Sequence, residues 1–352
     1  MIKYLGSKRR LLDQLGQLYT DSGGGSALDL FTGTTRVAQE FSRRGAHVTC
    51  VDTAAYAEVL AQCYVVTDSA DVDPAELGEA LARLEALPGR RGYVTEVFCE
   101  RARYFHPDNG QRIDAIREGI DEWYADSPLR PVLLTALLEA ADRVDSTVGL
   151  QMAYLKEWAP RALRPLRLRA PQLTPGTGRA VRGDAVALAP VLDAVDLAYL
   201  DPPYNQHRYF TNYHVWETLV RWDSPEHYGV ACKRVDARDA ATRSPFNSRK
   251  EMPAALAAVV AAVRAITMLV SFSNEGFLPL AELVEICAVR GHPVEVLAFD
   301  TRRYIGQRLG VFSPKGVRVG VPGPERNVEY VLVSRPEPLP AREPEALAAF
   351  SR

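Results

Sequence analysis

The chain has 352 residues, of which 47% are apolar and 24% are charged, and its formal net charge at pH 7 is −2. This length exceeds that of a usual single domain, so we expect one large α/β domain with a smaller inserted or appended part. No run reaches the roughly 18 uncharged apolar residues that a membrane-spanning helix requires, and no apolar signal-peptide core follows the N-terminus. These features argue against a membrane protein and predict a cytoplasmic one.

The five cysteines are scattered along the chain. They include no C-x-x-C pair, and no histidine stands at metal-ligand spacing from them. We therefore expect reduced thiols and no metal site.

Positive charge is concentrated in three places, although the chain as a whole is nearly neutral. Four bases and no acid occupy residues 3–10, seven bases and one acid occupy 156–182, and six bases and one acid occupy 302–326. A single cluster of this kind is more often a solvated surface. Three of them favour contact with the phosphate backbone of a nucleic acid.

The first predicted elements begin a nucleotide-binding unit. Residues 27–31 make a short buried strand, a turn containing Gly33 follows, and the next helix ends at Gly45. A second strand over residues 47–51 ends at Asp52. This order is that of a Rossmann-like unit, and Asp52 follows Gly33 by 19 residues, close to the spacing at which an acid binds ribose hydroxyls.

The glycine turn favours a particular kind of cofactor. It has neither the G-x-G-x-x-G pattern of dinucleotide sites nor a Walker lysine, and Thr34 and Thr35 follow its single glycine. A nucleoside without a pyrophosphate, such as S-adenosylmethionine, therefore fits the turn better than NAD or ATP. An ordinary connection between elements remains the alternative for Gly33 taken alone.

Residues 63–182 differ in character from the segments on either side. Strand signals are scarce, Pro74 marks a helix start, and further helical patterns cover residues 111–124, 129–143 and 147–158. We therefore predict a mostly helical insertion that ends in a connector rich in proline and arginine. The predicted domains are a discontinuous catalytic domain (1–62 and 183–335), the insertion (63–182) and a poorly ordered tail (336–352).

The stretch Asp201-Pro202-Pro203-Tyr204 ends the apolar run 195–200, which predicts a buried parallel strand. Consecutive prolines donate no backbone hydrogen bond, so the chain must leave the sheet in a stiff turn at its carboxyl edge, where open α/β sheets bind ligands. The turn carries a carboxylate, a carbonyl and an aromatic ring. The two acceptors suit an exocyclic NH2 group, and the ring suits the flat base that carries it. For four residues taken alone, a proline-rich loop is the favoured alternative.

The segments after the tetrapeptide add polar and aromatic side chains and then complete the sheet. Residues 205–214 interleave the two kinds, which suits an extruded base and contacts with base edges and phosphates. The later predicted elements are a loop ending at 244–250, a helix (253–265), a strand (267–273), a helix (279–290) and a closing pair of strands (293–299 and 328–333).

Taken together, these motifs resemble those of the Dam-like (alpha-group) N6-adenine DNA methyltransferases. Residues 3–8 are similar to the opening cofactor motif of that family, 29–33 to its main cofactor motif, and 201–204 to its catalytic tetrapeptide. Thr35 stands where many members have a second glycine. The later blocks that look alike are 205–217, 244–250, 271–276 and 327–333.

The resemblance implies a Rossmann-like, S-adenosylmethionine-dependent fold with an inserted target-recognition domain, and it assigns roles to residues. The residues implied for the cofactor are Tyr4, Gly6, Lys8, Asp29, Phe31, Gly33, Thr34, Asp52, Asp184 and Asp201. Those implied for catalysis are Asp201, Pro202, Pro203 and Tyr204. The residues that we predict to contact DNA are Lys8, Arg208, Tyr209, Asn212, Tyr213, Arg249, Lys250, Arg302 and Arg303.

The reaction so implied is methyl transfer to the N6 amine of an adenine flipped out of double-stranded DNA, by alignment and without a covalent enzyme intermediate. Methylation of cytosine N4, of RNA adenine or of a protein glutamine is an alternative within the enzymes. A non-catalytic DNA-binding subunit is another alternative, because Thr35 departs from the glycine pattern of the family's cofactor motif. A cognate restriction or defence component is the partner that the resemblance suggests, while the recognised sequence and the oligomeric state stay open.

Overall fold

The structure is a computed structural model that describes residues 2–176, 178–302 and 326–339. Within these residues, parallel and antiparallel strands alternate with helices, and two further strands form a short hairpin, which confirms the predicted α/β class. The helices are α1 (Leu12–Asp21), α2 (Arg36–Arg43), α3 (Ala55–Ala61), α4 (Pro74–Glu85), α5 (Pro107–Tyr124), α6 (Arg130–Arg143), α7 (Ala185–Leu188), α8 (Tyr209–Asn212), α9 (His214–Arg221), α10 (Met252–Ala262) and α11 (Leu280–Ala288). The strands are β1 (Ser26–Asp29), β2 (His47–Asp52), β3 (Arg179–Arg182), β4 (Val195–Leu200), β5 (His227–Tyr228), β6 (Lys233–Arg234), β7 (Ala265–Ser273), β8 (Val294–Arg302) and β9 (Arg326–Ser334).

The described chain divides into two compact units. The residues of the first unit are those up to Gln17, Gly25–Ala185 and Arg208–Arg243. The residues of the second unit are Leu18–Gly24, Val186–His207 and those described from Ser244 onward. The predicted insertion therefore lies in the same unit as β1, β2 and β3.

In the first unit, β1 pairs with β2 and β2 pairs with β3, and all three strands are parallel. Their apolar side chains, such as Leu28 and Val48, are buried, and helices α2 and α3 pack against β2. Asp29 ends β1 and Asp52 ends β2. Both carboxylates therefore lie at the carboxyl edge of these strands, the usual ligand-binding edge of such a sheet.

The insertion is mostly helical, as predicted. Besides α4, α5 and α6 it contains the π-helical segment Val94–Arg101, which α5 holds through the fully buried carboxylate of Asp114. That carboxylate accepts hydrogen bonds from the backbone N–H groups of Gly92, Val94 and Thr95 at 2.8–3.0 Å. A buried carboxylate that accepts several N–H bonds satisfies donors that a helix start otherwise leaves unpaired.

The prediction of a helix over residues 147–158 is wrong, because these residues form bends, a turn and irregular backbone. Their backbone donors take partners outside an α-helical pattern: the Gly149 N–H donates to Thr147 Oγ1 at 2.9 Å and the Gln151 N–H to the Asn212 carbonyl at 2.8 Å. Gly149 also has a φ of +97°, in the left-handed region that ends helices. Local polar contacts therefore prevail over the apolar periodicity of this stretch.

In the second unit, β4 pairs with β7 in parallel, and β9 pairs antiparallel with both β7 and β8. The closing pair of strands predicted from the sequence is confirmed. Helices α10 and α11 pack against each other, and α11 contacts β8 and β9. In the part of the chain that the structure describes, no helix has the length and apolarity needed to cross a membrane.

Candidate active site

Asp52 and Gly33 are joined by a hydrogen bond at the carboxyl edge of the first unit. The Gly33 N–H donates to Asp52 Oδ2 at 2.9 Å, and the Ala54 N–H donates to Oδ1 at 3.0 Å. Burial raises the pKa of Asp52, and these two backbone donors oppose that rise by favouring the ionised form. The predicted pairing of a glycine turn with an acid thus corresponds to a direct contact.

Gly33 needs to be glycine for two physical reasons. Its φ is +49°, a conformation that side-chain-bearing residues seldom adopt. A Cβ built on it would also lie 3.0 Å from Cε1 of the Tyr4 ring. The backbone of the turn therefore lies directly against that ring.

Asp29 stabilises the turn from the protein interior, through two hydrogen bonds. It is buried, and its Oδ2 accepts hydrogen bonds from the Thr32 hydroxyl at 3.1 Å and the Ala38 N–H at 3.2 Å. It thereby connects the turn to helix α2. Within the same turn Thr34 is buried and Phe31 is half-buried.

Thr35, which departs from the family's glycine pattern, has the backbone conformation that a glycine would favour. Its φ is +61°. Its hydroxyl donates to the Thr34 carbonyl at 2.7 Å and accepts from the Gln39 side-chain amide at 2.8 Å. These bonds help to offset the strain of a left-handed threonine, so the departure preserves the shape of the turn.

Tyr4 lies within a cluster of four tyrosines. Its ring stacks on Tyr213, with centroids 4.6 Å apart, and on Tyr209 at 5.2 Å. The edge of Tyr56 completes the cluster at 6.5 Å, with the Tyr4 and Tyr56 hydroxyls 3.3 Å apart. Burial raises the pKa of both Tyr4 and Tyr56 well above the usual value, so these phenols stay protonated at neutral pH.

The same cluster holds the backbone of the opening motif. The Leu5 N–H donates to the Tyr213 hydroxyl at 2.6 Å, and the Tyr209 hydroxyl donates to the Leu5 carbonyl at 3.3 Å. A Cβ on Gly6, whose φ is +76°, would lie 3.1 Å from the Tyr209 hydroxyl. Tyr213 is fully buried, so its predicted contact with DNA would require this cluster to open.

Two of the four bases at the start of the chain, Lys3 and Lys8, are ion-paired or buried. The Lys3 ammonium lies 2.8 Å from Asp145 Oδ1 and also donates to the Asp142 carbonyl, and Lys8 is only 7% exposed. Arg9 and Arg10 are exposed. The Lys8 predicted for both cofactor and DNA is therefore a buried cation, whereas its two neighbours are on the surface.

Asp184, which the resemblance implied for the cofactor, follows the end of β3 by two residues. It is exposed. The preceding Gly183 N–H donates to the Asp52 carbonyl at 2.9 Å, which fixes the turn at the same carboxyl edge as Asp52.

In the second unit, the tetrapeptide directly follows β4, as predicted. Pro202 is buried, whereas Asp201, Pro203 and Tyr204 are half-buried. The Tyr204 carbonyl accepts a hydrogen bond from the Phe277 N–H at 2.8 Å. The Tyr204 ring lies 5.6 Å from the ring of Phe272, at an interplanar angle of 54°.

The other residues predicted to contact DNA fall into three groups. Arg208 donates to the Ala237 carbonyl at 2.8 Å, and Asn212 is buried. Arg249 and Lys250 are exposed, with the Arg249 guanidinium 5.2 Å from the centre of the Phe277 ring. Arg303 and the side chain of Arg302 lie outside the described residues.

Sequence reasoning assigned no role to Glu217, Asn247, Tyr56 and Phe272. Glu217 and Asn247 do lie in blocks that resemble the methyltransferase family, and this was the available signal. Their partners are backbone groups far away in the chain: Glu217 accepts from Ala55 and Asn247 donates to Asn205. No local pattern encodes such pairs.

A family model described as D12 class N6 adenine-specific DNA methyltransferase matches residues 4–250, which include both the glycine turn and the tetrapeptide. The chain belongs to this family. Like the D12 class as a whole, it is an N6-adenine-specific DNA methyltransferase, which confirms the predicted enzyme class and DNA as its substrate. The alternatives of cytosine N4, RNA, protein glutamine and a non-catalytic subunit are not supported.

Two curated relatives of this D12 methyltransferase are type II methyltransferases, and the chain covers different shares of their lengths. The chain is 30% identical over 300 residues to type II methyltransferase M.NlaIII of Neisseria lactamica, covering 81% of this chain and 87% of that protein. It is 29% identical over 313 residues to type II methyltransferase M.FokI of Planomicrobium okeanokoites, covering 83% of this chain and 47% of that protein. The chain thus spans about half the length of M.FokI.

Proposed function

We propose that this D12 methyltransferase takes its methyl group from S-adenosylmethionine, bound by Asp52 and the turn around Gly33. The observation that carries the proposal is the Asp52 carboxylate, because both of its oxygens accept backbone N–H groups and a carboxylate has lone pairs for about four donors. Two acceptors oriented in this way at a strand end suit the two hydroxyls of a ribose. S-adenosylmethionine supplies an activated methyl group when it is bound.

The other cofactor residues would contribute shape more than charge. The Tyr4 ring borders Gly33, so we assign it to a wall of the nucleoside site, together with Gly6, Phe31 and Thr34. Asp29 supports the turn through Thr32 and Ala38. Asp184 is exposed beyond β3, and its carboxylate would accept a hydrogen bond from the adenine amine of the cofactor.

The second unit would bind the target amine. In our assignment, Asp201 and the Pro202 carbonyl accept hydrogen bonds from the adenine NH2 group. When the amine donates both of these bonds, its nitrogen lone pair becomes less conjugated with the adenine ring. The amine is then a better nucleophile. Tyr204 would stack on the extruded base, a contact worth about 1–3 kcal/mol. No step requires a covalent bond to the enzyme.

Exposed basic side chains would contact the phosphates of double-stranded DNA. Arg249 and Lys250 are exposed and precede helix α10, and they remain the best described candidates for this role. Because its curated relatives are named type II methyltransferases, we infer a restriction-modification setting in which methylation protects DNA from a cognate nuclease.

The cofactor assignment is tested by calorimetry on Asp52→Ala. We expect S-adenosylmethionine binding to weaken by about 1–3 kcal/mol, the cost of leaving buried hydrogen-bonding groups unpaired. Glu58→Ala is the control, since Glu58 pairs at the surface with Arg182, at 3.7 Å, and lies beyond the turn. Equal affinity in both variants would remove Asp52 from the site.

The amine assignment is tested by single-turnover methylation. Asp201→Ala should lose most or all turnover while cofactor and DNA still bind. Tyr204→Ala should lose about 1–3 kcal/mol and Tyr204→Phe less, since the ring remains. A fully active Asp201→Ala enzyme would overturn the assignment.

A further inference from the structure

Asn247 joins two backbone carbonyls of the segment that follows the tetrapeptide. Its Nδ2 donates to the Asn205 carbonyl at 2.8 Å and to the His207 carbonyl at 3.1 Å. The two bonds connect positions 42 and 40 residues apart in the chain. All three residues belong to the second unit.

The segment needs support of this kind because it has little of its own. Residues 201–207 have no regular secondary structure, and the two prolines cannot donate backbone hydrogen bonds. Within the segment, the His207 N–H donates to Asn205 Oδ1 at 3.0 Å. Support from elsewhere in the chain includes the Phe277 N–H on the Tyr204 carbonyl and the amide of Asn247.

Asn247 is itself held firmly. It ends the short 3-10 helix Pro245–Asn247, whose first turn Ser244 caps by accepting from the Phe246 N–H at 3.3 Å. Phe246 is 1% exposed, and this turn packs against α10. A buried ring next to the amide therefore fixes its position.

Only a primary amide suits this place. Its nitrogen carries two hydrogens in one plane, one for each carbonyl. An aspartate of the same shape would offer only acceptors and would face two carbonyl oxygens. A serine would offer one hydrogen and a shorter reach.

We infer that Asn247 is a positioning residue for the tetrapeptide: it keeps the segment after Tyr204 in one conformation, so that Asp201, the Pro202 carbonyl and the Tyr204 ring meet the adenine correctly. The inference rests on the proposed roles of these three groups. Small misplacement of groups that align a reaction costs up to about a hundredfold in rate. The loss should fall on the rate of methyl transfer and not on cofactor affinity.

The experiment compares Asn247→Asp and Asn247→Ser with the control Ser244→Ala, which removes a cap in the same turn but leaves the amide. Single-turnover methylation rates are expressed per cofactor-binding molecule, so that unfolded protein does not count. We expect the Asn247 variants to be about tenfold to a hundredfold slower, with Asn247→Ser the milder, and affinities for S-adenosylmethionine within twofold of the unaltered protein. Ser244→Ala should keep its rate.

Three results would overturn the inference. The first is a full rate in Asn247→Asp, and the second is an equal loss in Ser244→Ala, which would indicate general loosening of the turn. The third is an Asn247 variant whose cofactor affinity falls in step with its rate. Asp201→Ala is run in parallel: if it is inactive while the Asn247 variants are fully active, only this inference fails, and if it is fully active, the proposed amine site itself fails.

Discussion

Glu217 Oε2 lies 2.9 Å from the backbone nitrogen of Ala55, and the carboxylate thereby caps helix α3 from a position 162 residues later in the chain. The Tyr56 N–H donates to the same oxygen at 3.4 Å. Ala54, which precedes α3, has no side chain that could act as a cap. The helix that begins just after Asp52 therefore depends on a carboxylate carried by α9.

Removal of this cap should destabilise the protein. We expect Glu217→Ala to lower the free energy of unfolding by about 1–3 kcal/mol, because two buried N–H groups lose their acceptor. Glu217→Gln keeps an acceptor oxygen and should lose less. Urea unfolding followed by circular dichroism measures both, and equal losses in the two variants would show that the cap is not the cause.

The same carboxylate should make stability depend on pH. Burial raises the pKa of Glu217 to about 7 from an ordinary value of 4.5, against the opposing effects of the Ala55 and Tyr56 N–H groups and of Arg221 and Arg234. Between these two values the folded protein holds a proton that the unfolded chain has released. The contribution of this group to the free energy of unfolding therefore decreases as pH rises through the window, and it is constant above about pH 7.

Glu217→Gln, which cannot titrate, isolates this effect. We compare the free energies of unfolding of the unaltered protein and of Glu217→Gln. The difference, unaltered minus variant, should fall by at most about 3 kcal/mol between pH 4.5 and 7. Denaturant titrations at half-unit pH steps give the difference. A difference that stays constant with pH would contradict the prediction.

Gly276 should be intolerant of a side chain because of the ring that it faces. A Cβ there would lie 2.2 Å from Cε1 of Phe272, and the Phe272 ring lies beside Tyr204. We expect Gly276→Ala to displace these rings, to cost about 1–3 kcal/mol of stability and to lower the single-turnover methylation rate.

Gly78→Ala is the matched control for this substitution. Gly78 is an exposed residue of α4, and a Cβ there meets nothing within 4 Å. It should keep full activity and gain up to about 1 kcal/mol of helix stability. If Gly276→Ala behaved like Gly78→Ala, the contact with Phe272 would have no functional weight.

We propose that the insertion carries target recognition, and its exchange should require two segments together. The insertion contacts residues 208–243 of the same unit: the Tyr93 hydroxyl donates to the Pro225 carbonyl at 2.6 Å, and Arg117 Nε donates to the Leu219 carbonyl at 2.7 Å. We expect a chimera that takes 63–182 alone from M.NlaIII to be poorly folded. One that takes 63–182 and 208–243 together should acquire the methylated motif of the donor.

The readout is modified-base sequencing of DNA from a methylation-free host. An active double chimera that keeps the motif of the recipient would place recognition elsewhere in the chain. A well-folded single chimera with a new motif would show that the insertion is sufficient by itself.

The sequence alone determined those parts of the fold and the site that local pattern controls. The strands that end at Asp52 and at Leu200 were predictable, because buried parallel strands have continuous apolar runs. The contact of Gly33 with Asp52 follows from their places at the ends of neighbouring parallel strands, and two successive prolines can only leave a sheet. These features need no knowledge of distant residues.

Only the tertiary structure decided which polar and aromatic residues lie inside. Tyr213 was predicted at the DNA surface, yet it is buried against Tyr4, and residues 147–158 lose their predicted helix to hydrogen bonds such as that from Gln151 to Asn212. Glu217 of α9 caps α3, and Asn247 bonds to the loop after Tyr204. In both cases a side chain pairs with a distant backbone group. Such pairs have no periodicity and arise only when packing brings the segments within hydrogen-bonding distance.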